Sequence, residues 1–175
     1  MPLRLEDYAL LGDCETAALV GCDGSIDWLC WPRFDSDACF AALLGGPEHG
    51  QWRLAPADAA VRVARRYRPG TLILETEIDT AGGGVTLVDF MPLRGAASDI
   101  VRLVVGRHGR VTVRSTLRPR FGYGRADPWL SHTAEGDVCA VAGPDMLVLH
   151  APVPHALGDG AAVGELTVAA GERAA

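Results

Sequence analysis

The stretch Trp31-Pro32-Arg33-Phe34-Asp35 crowds an aromatic face, a guanidinium and a carboxylate into one short loop. Trp31, Arg33, Phe34 and Asp35 together have the chemistry to contact sugar hydroxyls. They equally suit docking of a neighbouring domain, with Arg33 in a bidentate carboxylate pair. A plainer alternative is an Arg33–Asp35 pair that only fixes the loop. A second constellation lies in TLRPRFGYGR, Thr116 to Arg125, where Arg118, Arg120 and Arg125 alternate with Phe121 and Tyr123. Cations between aromatics can recognise sugar or nucleic acid. The net charge of -6 argues against a nucleic-acid partner, because phosphate contacts need a basic surface. Interdomain docking or a strand-end cap is therefore the favoured role for Arg120 and Tyr123.

Acid–base chemistry has carboxylates by type in Asp27, Asp35, Asp37, Asp89 and Asp99. Asp27 precedes a tryptophan on a strand, where an arginine partner or solvent would be ordinary. No metal and no cofactor are expected. Cys14, Cys22, Cys30 and Cys39 stand eight or nine residues apart with Cys139 distant, and none forms the C-x2-C pair of a structural zinc site. Five is odd, so one chain cannot make a complete disulfide set, and buried thiols are the default. His49, His108, His132, His150 and His155 are scattered without ligand spacing. Gly82-Gly83-Gly84 has no lysine or helix start after it, so it is no phosphate loop.

Positioning such loops requires a sheet framework, and the rest of the chain reads as one. The length of 175 residues fits one domain, and 21 Gly with 11 Pro predict many turns. Strands TAALVG and SIDWLCW flank the hairpin connection Cys22–Gly24. Further strands are GQWRLAP, VRVARRYR, TLILETEIDT, VTLVDFMPL and GELTVAA. IVRLVVGR and RVTVRSTLRPR read as a pair around His108-Gly109, and VCAVAG and MLVLHAPV as a pair around Pro144-Asp145. Asp35 or Ser36 can cap one short helix, DSDACFAALLGG, stopped by Gly45-Gly46. The expectation is an all-β antiparallel β-sandwich of about ten short strands with that one helix. In the RVARRYR run the arginines would not share one face, which predicts a solvated or acid-paired strand. No apolar run approaches about eighteen residues, and MPLRLEDYALL is acidic where a signal peptide is basic, so a cytoplasmic protein without membrane contact is expected.

The segment DYALLGDCETAALVGCDGSIDWLCWPRFDSDACFAALLG resembles the opening of the N-terminal domain of trehalase-like and glucoamylase-like members of glycoside hydrolase family 15. RRYRPGTLILETEIDT, VTLVDFMPL and TLRPRFGYGR follow in the order and spacing of that domain, and Asp37 departs from a usual proline. The resemblance implies an N-terminal β-sandwich preceding a helical barrel that hydrolyses α-glucosidic bonds with inversion. Inversion uses a protonated carboxyl as acid and a carboxylate that activates water, about 6.5–9.5 Å apart. In the family both are glutamates of the helical barrel, so no catalytic residue maps onto this chain. Asp89 matches a family position and is expected to organise a strand end through backbone hydrogen bonds. Residues 1–175 are thus expected to form one noncatalytic domain, truncated at its C-terminal edge where ELTVAAGERAA leads toward another strand. Its partner would be the C-terminal helical catalytic domain, with α-glucoside contact at the loop; an unpaired sheet edge would allow a homodimer. The alternative is a stand-alone carbohydrate-binding or protein-interaction module.

Overall fold

The computed structural model describes residues 3–95 and 97–175. Alternating apolar residues and regularly spaced glycines give fifteen strands among them, more than the ten expected because several are very short. They are β1 Tyr8–Gly12, β2 Ala17–Gly21, β3 Ser25–Cys30, β4 Ala38–Phe40, β5 Gln51–Pro56, β6 Ala60–Tyr67, β7 Leu74–Thr80 and β8 Gly83–Phe90. There follow β9 Val101–Arg118, β10 Trp129–His132, β11 Val138–Ala142, β12 Asp145–Leu149, β13 Ala156–Gly158, β14 Ala161–Ala169 and β15 Arg173–Ala174. All pairings are antiparallel, as the all-β reading requires.

The main sheet runs β1-β2-β3-β5-β9-β8-β7-β6, with β4 on β3, and β14 and β15 on β9; β10-β11-β12 form a separate small sheet. The large sheet curls around two apolar clusters. One joins Leu11, Val20, Ile26, Leu29, Phe40 and Leu117 to the inward face of the small sheet at Val138, Ala140 and Leu149. The other joins Leu54, Ile78, Leu87, Val104, Val113 and Val168. On β7, Leu74, Thr76 and Ile78 point inward while Glu75 and Glu77 are less buried, the period of two read from the sequence. The arginine-rich β6 and the residue that follows it are acid-paired: Arg66 and Arg68 bind Glu75 at 2.8 and 2.7 Å, and together they hold its carboxyl below the ordinary range.

Two local expectations are corrected. The segment read as a helix is β4 followed by two 3-10 turns, Ala42–Leu44 and Pro47–His49. Ala38, Cys39 and Phe40 are all buried, and Leu29 pairs with Phe40. A two-turn helix buries one face, whereas a covered strand buries both, so tertiary packing overrides the helical pattern. The hairpin expected at His108-Gly109 does not form. β9 runs unbroken through it, because Gly109 adopts φ 62 and bends the strand without reversing it. The first part of β9 pairs with β8, and the part from Arg110 onward with β5 and β14.

Asp89 is not a strand-end organiser. It forms a fully buried pair with Arg102 at 2.8 Å, and the same guanidinium donates to the carbonyls of Trp52 and Gly24 and lies 5.1 Å from the Trp52 ring centre. Removing two charges from water is costly, and here both terminal guanidinium nitrogens also donate to carbonyls. Asp27 has neither a solvated carboxylate nor an arginine partner within ion-pair range among the described residues. It is buried and accepts the Tyr8 hydroxyl at 2.7 Å.

Candidate functional site

The Trp31–Asp37 loop is built on a rigid base. β3 ends at Cys30 because Pro32, in a cis peptide with Trp31, has no N–H for the ladder. Behind the loop lies the turn between β1 and β2. There the Asp13 carboxylate accepts the amides of Thr16 and Glu15 at 2.8 and 3.0 Å, while the Thr16 hydroxyl donates to the Cys30 carbonyl. Arg94 reaches in from the segment after β8. It pairs with Asp13 at 2.8 Å and Glu15 at 3.3 Å and donates to the Pro32 carbonyl. Burial alone would raise the Asp13 carboxyl, but the Thr16 and Glu15 amides and the Arg94 guanidinium hold it below the usual range. Charge-assisted bonds among half-buried groups make this brace stiff.

On that base Trp31 packs against the core, while the next three side chains project outward. Phe34 is 63% exposed, and its N–H donates to the Glu15 carbonyl at 2.9 Å. Arg33 Nε meets Asp35 Oδ1 at 2.9 Å, both side chains in solvent, and this hydrogen bond lowers the Asp35 carboxyl. Ser36 closes the tip by accepting the Arg33 amide at 3.2 Å.

The second constellation arrives at the same place. After β9 the Arg120 amide donates to the Cys39 carbonyl at 3.0 Å, and a single turn follows at Phe121–Gly124. Gly122, Tyr123 and Gly124 are all left-handed, with φ 60, 60 and 88. For a bulky residue such as Tyr123 that conformation is rare and costly, and the surrounding structure must impose it. It lays the ring 6.1 Å from that of Trp28, tilted by 41°, and leaves Tyr123 40% exposed. Burial, with Cys30 and Asp37 beside it, pushes the Tyr123 hydroxyl up. Arg120 itself is buried. It pairs with Asp127 at 2.7 Å and donates to the Pro119 and Gly160 carbonyls at 2.8 and 3.2 Å.

Of the six residues singled out by type, Arg33, Phe34, Asp35 and Tyr123 present side chains outward, while Trp31 and Arg120 anchor the two segments from within. Sequence reasoning missed Trp28, whose ring lies tilted against Tyr123, and the Asp13–Arg94 brace. Arg94 sits in the apolar-to-loop transition MPLRG, where nothing local marks its partner eighty-one residues away. Of the five aspartates, Asp89 is locked to Arg102, Asp27 faces Tyr8, Asp35 is held by Arg33, and Asp37 and Asp99 are exposed. A groove of about 530 Å³ lined by Arg114, His155, Val163 and Glu165 holds none of them. Among the described residues no cluster of three His, Cys, Asp or Glu side chains is placed to hold a metal, and the five cysteines are free thiols.

The family model described as "Trehalase-like, N-terminal" matches residues 1–159. The chain is 43% identical over 165 residues to a trehalase of Mycobacterium tuberculosis, covering 81% of this chain and 24% of that protein. It is 46% identical over 85 residues to a trehalase of Mycolicibacterium smegmatis, covering 49% of this chain and 13% of the relative. A trehalase of Thermoplasma volcanium is 30% identical over 139 residues, covering 76% of this chain and 22% of that protein. The chain thus spans a quarter or less of the length of these curated relatives. No solved structure matches it.

Proposed function

The chain belongs to the family of trehalase-like N-terminal domains, and from that premise we propose that it is the noncatalytic N-terminal domain of an inverting α-glucoside hydrolase of glycoside hydrolase family 15. Its substrate would be trehalose, by likeness to relatives that are named trehalases. The chain supplies no acid–base pair of its own. Its role is to support a helical catalytic domain and to border that domain's active site with the Trp31–Asp35 loop and Tyr123. The observation that carries this reading is the convergence of two distant segments at one end of the sheet. Each offers exposed sugar-compatible groups on a buried, charge-braced base. A cytoplasmic location belongs to the same reading, in keeping with the five free thiols.

The test is Arg33→Ala in the full-length enzyme. Both Arg33 and Asp35 are solvated, so folding is unaffected, whereas kcat/KM for trehalose falls about tenfold through loss of one charged contact. Unchanged kcat/KM with unchanged folding would refute the bordering role.

A further inference from the structure

The small sheet β10–β11–β12 carries an outer face unsuited to water. Trp129 stands opposite Val141, and Val141 opposite Met146, so three strands contribute one row of side chains. The next row on that face is Ser131, Cys139 and Val148. The alternate positions Leu130, Ala140 and Leu147 pack inward against the main core. The outer rows are nonetheless open: Trp129 is 78% exposed, Met146 67%, Val148 49% and Val141 37%. A sheet with one face in water normally alternates apolar inside with polar outside. This sheet is apolar on both sides. Side chains of these sizes at these exposures present roughly 400 Å² of contiguous apolar surface, the range that marks interaction sites on monomers.

We propose that this face is a docking surface for the polypeptide that accompanies this domain in trehalase-length proteins, received through an apolar surface of that polypeptide. The assignment rests on the reading of the chain as the N-terminal part of such an enzyme. Three observations select this occupant. First, neither row holds a charged group, and Ser131 is its one hydroxyl, so a sugar or a phosphate would find few directional partners. A flexible thioether beside an indole and two valines instead accommodates the apolar side chains of a protein partner. Second, a stable complex of separate chains needs about 800 Å² per partner, so this patch alone is too small for a second copy. A covalently tethered partner works at a high effective concentration and needs less. Third, about three quarters of the Mycobacterium tuberculosis relative lies outside the matched region.

Cys139 lies within the rows and is half-buried, while Cys14 is exposed on the turn after β1, so two thiols report on covered and open surface. Maleimide labelling mapped by mass spectrometry is applied to the isolated chain. It is also applied to a full-length trehalase in which this chain replaces the matched region of the Mycobacterium tuberculosis enzyme. Cys139 labelling should slow at least tenfold in the full-length protein, with Cys14 unchanged, and Met146→Lys should restore it. Equal Cys139 rates in the two proteins would overturn the proposal. So would protection in the isolated chain that grows with concentration, since the occupant would then be a second copy. In the isolated chain, a Trp129→Asp, Met146→Lys double variant should keep its Tm within a few degrees and lose binding of an apolar dye. A fall of more than ten degrees would show that the rows belong to the domain's own core. Labelling and the Arg33→Ala kinetics fail independently, so a covered face without a bordering loop, or the reverse, is distinguishable.

Discussion

Asp27 sits on β3 with one carboxylate oxygen accepting the Tyr8 hydroxyl and the other, Oδ1, without a hydrogen-bond partner among the described residues. Burial pushes its carboxyl above the usual range. Burial, with Asp27 beside it, also pushes up the Tyr8 hydroxyl. A carboxyl whose folded-state pKa is raised keeps its proton longer in the folded than in the unfolded chain. Its contribution to stability is therefore full below the unfolded value of about 3.9 and declines as pH rises through the raised folded value. Asp13 and Glu75, held low, act in the opposite sense and lose stability as pH falls, but they are common to parent and variant. Asp27→Asn cannot ionise and retains an acceptor for Tyr8. The Tm of the variant minus that of the parent should rise between pH 4 and pH 8 in calorimetry, and a difference independent of pH would contradict the assignment. The sequence offered both Asp27 and Asp89 as carboxylates by type, yet neither partner was legible. Arg102 meets Asp89 only because β8 and β9 pair in the register that sets those two residues opposite one another. Period-two patterning cannot choose which of sixteen arginines that is.

At the scale of elements, β9 shows where local signals mislead. Gly109 between His108 and Arg110 reads as a turn, and its φ of 62 is a turn conformation, but here the left-handed residue bends the strand without reversing it. The bend lets the β9 segment before it pair with β8 and the segment after it with β5 and β14, so both apolar clusters draw on one strand. A Cβ at Gly109 would meet the Gly82 carbonyl and lie 2.8 Å from the Gly83 Cα. Gly109→Ala therefore adds a backbone clash to the left-handed penalty of about 1–2 kcal/mol. Urea unfolding should show a loss of at least that size, with the slope unchanged, and a loss below 0.5 kcal/mol would mean the bend is not required. Hairpins such as β2–β3 and β11–β12 were legible because apolar alternation and turn residues agreed over a few positions. β4 was not, because its partner β3 and the groups covering its two faces come from elsewhere in the chain. The same holds for the candidate site: both loop segments were visible by residue type, while their convergence depended on the path of β9.

For the molecule as a whole, the main path of the curled sheet ends on two outer strands, β1 and β6, and how they meet decides whether that path closes. No ladder joins them. One hydroxyl does: Tyr67 on β6 accepts the Leu10 amide at 2.8 Å and donates to the Leu10 carbonyl at 2.9 Å. Arg65, two residues earlier, donates to the Val20 carbonyl of β2 at 3.2 Å. At Leu10 the outer edge of β1 is thus satisfied by a side chain from β6, which shields that position from pairing with another chain. Tyr67→Phe keeps the ring and deletes both bonds, each worth about 0.5–1.5 kcal/mol and toward the lower end at an exposed site. Because β8 and β9 do not depend on this clasp, the effect should be local. Hydrogen exchange of the Leu10 amide should accelerate about tenfold, while core amides of β8 and β9 change only by the small global loss. An unchanged Leu10 rate would show that closure rests on core packing alone. Equal acceleration throughout β8 and β9 would show that the clasp holds the whole domain, not merely its seam.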